Sequence, residues 1–144
     1  MQMKKINGLI FMLIISLTLF SGCSLNENNQ EETIAATTTN SLGYEQISGD
    51  EAKKIMDSEK DYIIIDARTD EEFNEGHIEG AILIPEYEIG DRAENELPDK
   101  DKLILVYCRS GRRSKIAAQA LVDSGYTNVK EFGGIIDWKY EIVK

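Results

Sequence analysis

An α/β domain is predicted over residues 44–144, with a mostly parallel central sheet and helices on both of its faces. Short apolar runs such as Tyr62–Ile65 and Leu103–Tyr107 alternate with segments of helical pattern, which is typical of parallel sheets. These runs are apolar at every position, as in strands that are covered on both sides. Residues 44–144 are long enough for one small domain.

The first half of the domain contains two helix starts with capping-box spacing. Ser48–Glu51 begins a helix that runs to about Met56, and Thr69–Glu72 begins a shorter helix that Gly76 ends. The apolar run Ala81–Ile84, which is predicted to be a strand, ends at Pro85. The predicted elements of this half are a helix over 48–56, the strand Tyr62–Ile65, a helix over 69–75 and the strand Ala81–Ile84.

The second half contains the helix with the clearest pattern, Arg113–Ser124, which Gly125 closes at the position after its C-cap. Ile116, Ala120 and Leu121 are expected to pack it against the sheet. Gly133-Gly134 is expected to form a turn. The predicted elements of this half are a helix over Tyr87–Asn95, the strand Leu103–Tyr107, the helix Arg113–Ser124, the strand Val129–Phe132 and a helix over Ile135–Tyr140.

The N-terminal segment is predicted to be a signal peptide over residues 1–22. Two lysines precede the apolar run Leu9–Phe20, and two small residues precede Cys23. The run is short for a bilayer-spanning helix, which needs about 20 apolar residues. The junction resembles a bacterial lipoprotein signal, and that resemblance implies a lipid on Cys23 that anchors the protein to the outer face of the cell membrane. Ordinary cleavage and secretion is the alternative.

Residues 23–43 are polar and of low complexity, and they are predicted to be a disordered tether between the lipid and the domain. The whole chain has a formal net charge of −10, from 26 acidic and 16 basic residues. Without Lys4 and Lys5 of the signal peptide, 14 basic residues remain against 26 acidic ones, a net charge of −12. Such a charge disfavours binding of nucleic acid through a general basic surface.

The segment from Cys108 to Ser114 is the main functional candidate. A cysteine follows a buried strand directly and precedes a helix, and the loop between them carries three arginines in an acidic chain. The N-terminus of a helix stabilises anions, and a thiolate is an anion, so such a site also lowers the pKa of the thiol. If Cys23 is acylated, Cys108 is the only free thiol, and an intramolecular disulfide is excluded.

Four motifs in order then resemble the single-domain rhodaneses, the thiosulfate-type sulfurtransferases. They span most of residues 44–140. The motifs are Ile65–Arg68, Gly76–Ala81 with Ile84-Pro85, the loop at Cys108, and Gly125–Val129 with Gly133-Gly134 and Trp138. The resemblance implies the three-layer rhodanese fold. It also implies transfer of sulfane sulfur from a small anionic donor, through a persulfide on Cys108, to cyanide, a thiol or a protein.

The resemblance also implies residue roles. Cys108 is the nucleophile, and the loop residues around it bind the donor anion through amides and guanidinium groups. At least one of the three arginines is expected to pair with a surface acid instead, and Arg113 is the first candidate because it enters the helix. The residues expected to bind the donor are Arg109, Ser110, Gly111, Arg112, Arg113 and Ser114.

Asp66 and Arg68 follow a predicted strand at the same edge of the sheet. They are expected either to form a salt bridge that fixes strand to helix, or to order the active-site loop and act on the electrostatics of the cysteine from behind the site; direct catalysis by them is not expected. His77, the only histidine, is expected to belong to a structural turn. No cofactor is implied, and no metal site is expected because zinc needs three or four ligands.

Two other functions remain open at this stage. A non-enzymatic module that carries persulfide or binds a partner protein would keep the same loop. A phosphatase or arsenate reductase is disfavoured, because such sites have an arginine at the sixth position after the cysteine and this chain has Ser114 there.

Overall fold

The computed structural model describes residues 42–144, which form a five-stranded sheet with the order β1-β5-β4-β2-β3. All of its strand pairs are parallel. The strands are β1 Glu45–Gln46, β2 Tyr62–Asp66, β3 Ala81–Leu83, β4 Leu103–Cys108 and β5 Val129–Gly134, and the helices are α1 Gly49–Ser58, α2 Asp70–Glu75, α3 Ile89–Glu96 and α4 Arg112–Asp123. The predicted signal peptide, Cys23 and residues 23–41 of the predicted tether lie outside the described residues. No helix in 42–144 combines the length and the hydrophobicity that a membrane crossing requires.

The sheet lies between two layers, so the predicted α/β architecture is confirmed. Side chains of β4 alternate between the two faces, because successive residues of a strand point to opposite sides. Ile104 and Val106 join the core that α3 and α4 cover, whereas Leu105 and Tyr107 join the core on the side of α1. Helices or loops thus cover both faces of this central strand. This explains why the strand is apolar at each of these positions.

Both predicted capping boxes are present. The backbone N–H of Glu51 donates to Ser48 Oγ at 3.2 Å, and Ser48 N–H donates to Glu51 Oε2 at 2.8 Å. At the start of α2, Glu72 N–H donates to Thr69 Oγ1 at 3.4 Å and Thr69 N–H donates to Glu72 Oε2 at 3.3 Å. Each helix thus begins at the position that its sequence indicates.

The C-terminal segment differs from the prediction. Gly133 and Gly134 are the last residues of β5 and not a turn, since Gly134 lies in register with Cys108. The predicted helix over Ile135–Tyr140 is a single 3₁₀ turn, Ile135–Asp137. The N–H of Ile136 donates to the carbonyl of Arg109 at 3.2 Å, and Trp138 packs on Gly49 at the start of α1. These tertiary contacts hold the segment against the domain and take the place of helical hydrogen bonds.

Three smaller corrections concern elements and burial. Strand β1 was not predicted, because two residues are too short to form a pattern. Helix α3 begins at Ile89, two residues later than expected. Ile116 is 47% exposed and does not pack against the sheet. The buried residues of α4, which follow the spacing of one helical face and leave Ile116 outside it, are Ser114, Ala117, Ala118 and Leu121.

Candidate active site

Cys108 is the last residue of β4 and lies at the carboxyl edge of the sheet, between β2 and β5. Ligands of open α/β sheets bind at this edge. The cysteine is 1% exposed and belongs to the core on the side of α4. Helix α4 begins four residues later, at Arg112. The thiol is therefore a buried group next to the positive end of a helix.

Two glycines shape the loop around the sulfur, for different reasons. Gly111 has φ +94°, a conformation that favours glycine, and its N–H donates to Cys108 Sγ at 3.1 Å. Gly134 is extended, but a Cβ there would lie 2.3 Å from the carbonyl oxygen of Arg109. The first glycine turns the backbone toward the sulfur, and the second lets β5 approach the loop closely.

The environment of Cys108 lowers the pKa of its thiol. Burial alone raises that pKa, but hydrogen bonds from the Ser114 hydroxyl and from the amides of Ser114, Ser110 and Gly111 outweigh burial. Since these donors favour the charged form, the loop supports a thiolate. The structure thus brings Ser110, Gly111 and Ser114 to the sulfur, where the sequence analysis expected them.

Arg113 is paired with an acid and does not face an open site. Its guanidinium group donates to both carboxylate oxygens of Glu72, at 2.6 and 2.8 Å. The hydrogen bonds from Arg113 lower the pKa of Glu72 to about 2, although burial opposes them. This is the pairing that the sequence analysis expected of one loop arginine, and it connects α2 to α4.

The other two arginines remain accessible. The side chain of Arg109 is 67% exposed and only approaches Glu72, at 4.0 Å. Arg112 is exposed and makes no ion pair with any residue of 42–144. A cavity of about 150 Å³ lies beside Arg109, lined also by Arg68, Glu72, Glu75, Ile135 and Ile136. Two cationic groups are therefore free to meet an anion at this edge.

A wider groove of about 760 Å³ lies on the opposite side of the sheet, where α1 packs. It is lined by residues that include Met56, Ile64, Trp138 and Tyr140. None of the residues from Cys108 to Ser114 lines it. This groove is therefore not part of the site around the Cys108 thiol.

Asp66 and Arg68 form a buried salt bridge away from the sulfur. Arg68 donates to the Asp66 carboxylate with distances of 2.6 to 3.0 Å, and its Nη2 also donates to the carbonyl of Gly76 at 2.8 Å. Asp66 lies in register with Tyr107, whose side chain is on the face opposite Cys108. The expected salt bridge is therefore present, and it fixes β2 to the residue that ends α2.

His77 has the structural role that the sequence indicated. Its ring stacks on Phe73 with centroids 3.8 Å apart, and Nδ1 lies 3.1 Å from the Phe73 carbonyl oxygen. Its backbone pairs with Val143 in an isolated bridge. Over residues 42–144 there is no group of three His, Cys, Asp or Glu side chains that could hold a metal ion.

Glu131 is a buried acid near the thiol that no sequence motif predicted. This residue is in β5, 2% exposed, and its Oε1 accepts hydrogen bonds from Ser114 Oγ at 2.6 Å and from Gly133 N–H at 2.9 Å. A signal was present, because Glu131 lies two residues after the buried Val129 and so points to the same, core side of the strand. A charged residue at a core-facing position of a strand is an indication of function.

Comparisons with known proteins agree with this geometry. Residues 48–141 match the family model of the rhodanese-like domain. Over 73 residues, the chain is 41% identical to the thiosulfate sulfurtransferase PspE of Escherichia coli strain K12, covering 51% of this chain and 70% of that protein. It is 35% identical over 103 residues to the putative sulfur carrier protein YrkF of Bacillus subtilis strain 168, covering 71% of this chain and 55% of that protein. A solved structure, a rhodanese with anions from E. coli, is 38% identical with a TM-score of 0.55, covering 58% of this chain and 98% of that one.

Proposed function

Because the chain belongs to the rhodanese-like domain family, we propose that it transfers sulfane sulfur from a thiosulfate-type donor to an external nucleophile through a persulfide on Cys108. The observation that carries the proposal is the buried thiol of Cys108, whose pKa the surrounding hydrogen-bond donors lower. A thiolate is the nucleophilic form of cysteine. The loop therefore supplies the group that the first chemical step needs.

In the first half-reaction the Cys108 thiolate attacks the outer sulfur of thiosulfate. A new S–S bond forms on Cys108, the S–S bond of the donor breaks, and sulfite leaves with the electron pair. The product is a cysteine persulfide anion. The amide of Gly111, which donates to Sγ at 3.1 Å, stands where it can stabilise that anion as well as the thiolate.

In the second half-reaction an acceptor takes the outer sulfur and the Cys108 thiolate is restored. With cyanide as acceptor the product is thiocyanate. The chain has two cysteines, and Cys108 is the only one in residues 24–144. The acceptor must therefore come from outside the domain, as a small nucleophile, a thiol or a protein.

Arg109 and Arg112 are the groups that we assign to the donor anion. Both are exposed at the sulfur edge, and guanidinium groups suit recognition of several oxygens at once. Arg113 is assigned to Glu72 instead, since both of its terminal nitrogens donate to that carboxylate.

A persulfide carrier without turnover is the second candidate, and the likeness to the putative sulfur carrier protein YrkF favours it. Both candidates use the same thiol. They differ in whether an acceptor removes the sulfur repeatedly.

The test is a thiocyanate assay with thiosulfate and cyanide on the full chain, with Cys108→Ala and Cys23→Ser as a matched pair. Turnover that is lost in Cys108→Ala and kept in Cys23→Ser supports the proposal. A gain of one sulfur atom in mass on Cys108 without turnover would show the carrier. Release of phosphate from a phosphate ester would contradict the proposal.

We also propose that the protein is anchored to the outer face of the cell membrane by a lipid on Cys23. The support is the apolar run Leu9–Phe20 that ends just before this cysteine. Labelling of cells with radioactive palmitate tests the anchor. Label that disappears in Cys23→Ser is expected, and an unlabelled parent protein released into the medium would show ordinary secretion.

A further inference from the structure

The carboxylate of Glu72 contacts one arginine of the active-site loop and approaches another. Its Oε1 accepts a hydrogen bond from Arg113 Nη2 at 2.8 Å and lies 4.0 Å from Arg109 Nη1. Its Oε2 accepts a second hydrogen bond, from Arg113 Nη1 at 2.6 Å. The guanidinium groups of both arginines therefore face the same carboxylate oxygen.

Glu72 also lines the cavity of about 150 Å³ beside Arg109, the arginine that we assign to the donor anion. An arginine binds the oxygens of an external anion with the same pair of N–H groups that it uses for a carboxylate. Arg113 uses both of its terminal nitrogens on Glu72. The carboxylate thus stands where an anion in this cavity could contact both arginines.

Two features hold the carboxylate in this position. Glu72 is the third residue of α2, and its Oε2 accepts a hydrogen bond from the N–H of Thr69 at 3.3 Å in the capping box. The side chains of Arg113 and Glu72 are 17% and 18% exposed, so salt screens this pair less than a pair at the surface. The hydrogen bonds from Arg113 lower the pKa of Glu72 to about 2, and the carboxylate is therefore charged at neutral pH.

We propose that Glu72 is a positioning residue that limits the affinity of this site for anions, because it competes with them for Arg113 and Arg109. The inference rests on the proposed function, in which Arg109 meets the donor beside Cys108. Any anion that enters the cavity binds without Arg113 and next to a negative charge, which repels it. Inert dianions such as sulfate therefore bind weakly, and the thiol stays accessible to the donor.

The ion pair predicts a distinctive pattern for variants, because Glu72 and Arg113 together add no net charge to the site. Loss of Glu72 frees Arg113 and adds a positive charge. Loss of Arg113 frees Glu72, which can then pair with Arg109 and cancel its charge. Loss of both restores the net charge of the parent. Anion affinity should accordingly rise, fall and stay nearly constant, whereas a purely structural role of the pair would only weaken binding.

The experiment measures the sulfate concentration that halves the rate of Cys108 alkylation by iodoacetamide, at constant ionic strength. The protein is the full chain with Cys23→Ser, so that Cys108 is the single thiol. Sulfate is the probe because it is a dianion without a sulfur atom to transfer. In Glu72→Gln, which can keep the capping box, the concentration is expected to fall about tenfold, the factor that a hydrogen bond to a charged group contributes.

Two further variants and a control complete the set. Arg113→Gln is expected to raise the concentration by at least about threefold, since Glu72 is then free to pair with Arg109. The double variant is expected to lie within about twofold of the parent. Glu71→Gln is the matched control, because it removes the same charge from an exposed residue of α2 that does not line the cavity. A change of less than about twofold is expected there.

Three results would overturn the proposal. The first is an unchanged or higher sulfate concentration in a folded Glu72→Gln variant. The second is a double variant that binds sulfate as weakly as Arg113→Gln does, which would mean that Arg113 already holds the anion in the parent. The third is an unchanged concentration in Arg113→Gln, and this variant decides the matter alone if Glu72→Gln does not fold.

Failure of the proposed function would give a different result. Protection by sulfate requires an anion at the thiol and no turnover, so the expected protection pattern without thiocyanate would contradict sulfur transfer alone. Where turnover is present, the KM for thiosulfate is expected to fall in Glu72→Gln together with the sulfate concentration. A merely structural role of Glu72 would instead lower kcat and leave KM unchanged or higher.

Discussion

At the scale of single residues, Cys108 has surroundings that act on its thiol in opposite directions. Burial at 1% exposure raises the pKa, and hydrogen bonds from Ser114, Ser110 and Gly111 lower it by more. The net effect is a lowered pKa for a thiol that is shielded from water. This combination suits the nucleophile of the proposed sulfur transfer.

The buried salt bridge offers a test at the same scale. Asp66→Asn removes the charge that compensates Arg68, whose side chain is almost fully buried. We expect the free energy of unfolding to fall by about 3 kcal/mol, because a buried charge is left without its partner. Chemical denaturation measures this change.

Asp57→Asn is the control, since Asp57 pairs with Lys53 at the surface and exposed pairs contribute less than about 1 kcal/mol. The pH profile of Cys108 alkylation should stay the same in Asp66→Asn, because Asp66 lies on the opposite face of the sheet. A shifted profile would show that the pair acts on the thiol.

At the scale of elements, the close approach of β5 to the active-site loop depends on Gly134. In Gly134→Ala the new Cβ would meet the Arg109 carbonyl oxygen at 2.3 Å and Ser110 Cα at 2.6 Å. We expect a loss of about 2 kcal/mol in stability and a loss of sulfur transfer, because the loop must move. Thermal unfolding and the thiocyanate assay measure the two effects.

Gly90→Ala is the matched substitution, since Gly90 is in α3 with open space around it. Alanine favours a helix over glycine by about 0.5 to 1 kcal/mol, so this variant should be as stable as the parent or more stable. Equal behaviour of the two variants would contradict the role assigned to Gly134.

The ion pair between α2 and α4 predicts a pH dependence. Glu72 has a pKa of about 2 in the folded protein, chiefly through hydrogen bonds from Arg113, against an ordinary value of 4.5. A lowered folded pKa stabilises the protein above the ordinary value, and this contribution is lost as the pH falls through the folded value.

Glu72→Gln isolates that contribution, because glutamine can also complete the capping box of α2. We expect the variant to be less stable by about 2 kcal/mol at pH 7. The difference should shrink below about pH 4.5 and vanish near pH 2. Urea denaturation across this range measures it, and a difference independent of pH would refute the ion-pair interpretation.

At the scale of the whole molecule, parallel strands bring the segments after β2, β4 and β5 to one edge of the sheet. Two arginines are exposed at this edge in a chain whose net charge is −10. The excess of negative charge therefore repels polyanions from the molecule as a whole.

This net charge predicts that the protein does not bind double-stranded DNA. Binding of nonspecific duplexes needs several phosphate contacts from a basic surface, and it weakens steeply with salt. We expect no shift of a labelled duplex in a gel at low salt. A shift that disappears on addition of salt would contradict the prediction.

Much of the fold could be predicted from short patterns in the sequence. The capping boxes at Ser48 and Thr69, the apolar strands and the loop from Cys108 to Ser114 each lie within a few consecutive residues, and their signals do not depend on the rest of the chain. The α/β architecture and Cys108 as the candidate nucleophile therefore came from the sequence itself. The signal peptide and the lipid on Cys23 stay predictions.

The tertiary structure alone decided which side chains meet. Glu72 and Arg113 are 41 residues apart, and Ser114 and Glu131 are 17 apart, so no short window of sequence contains either pair. The segment after Gly134 has a 3₁₀ turn in place of its predicted helix for the same reason. Strand order and close packing select the partners of a side chain, and these exist only once the sheet has formed.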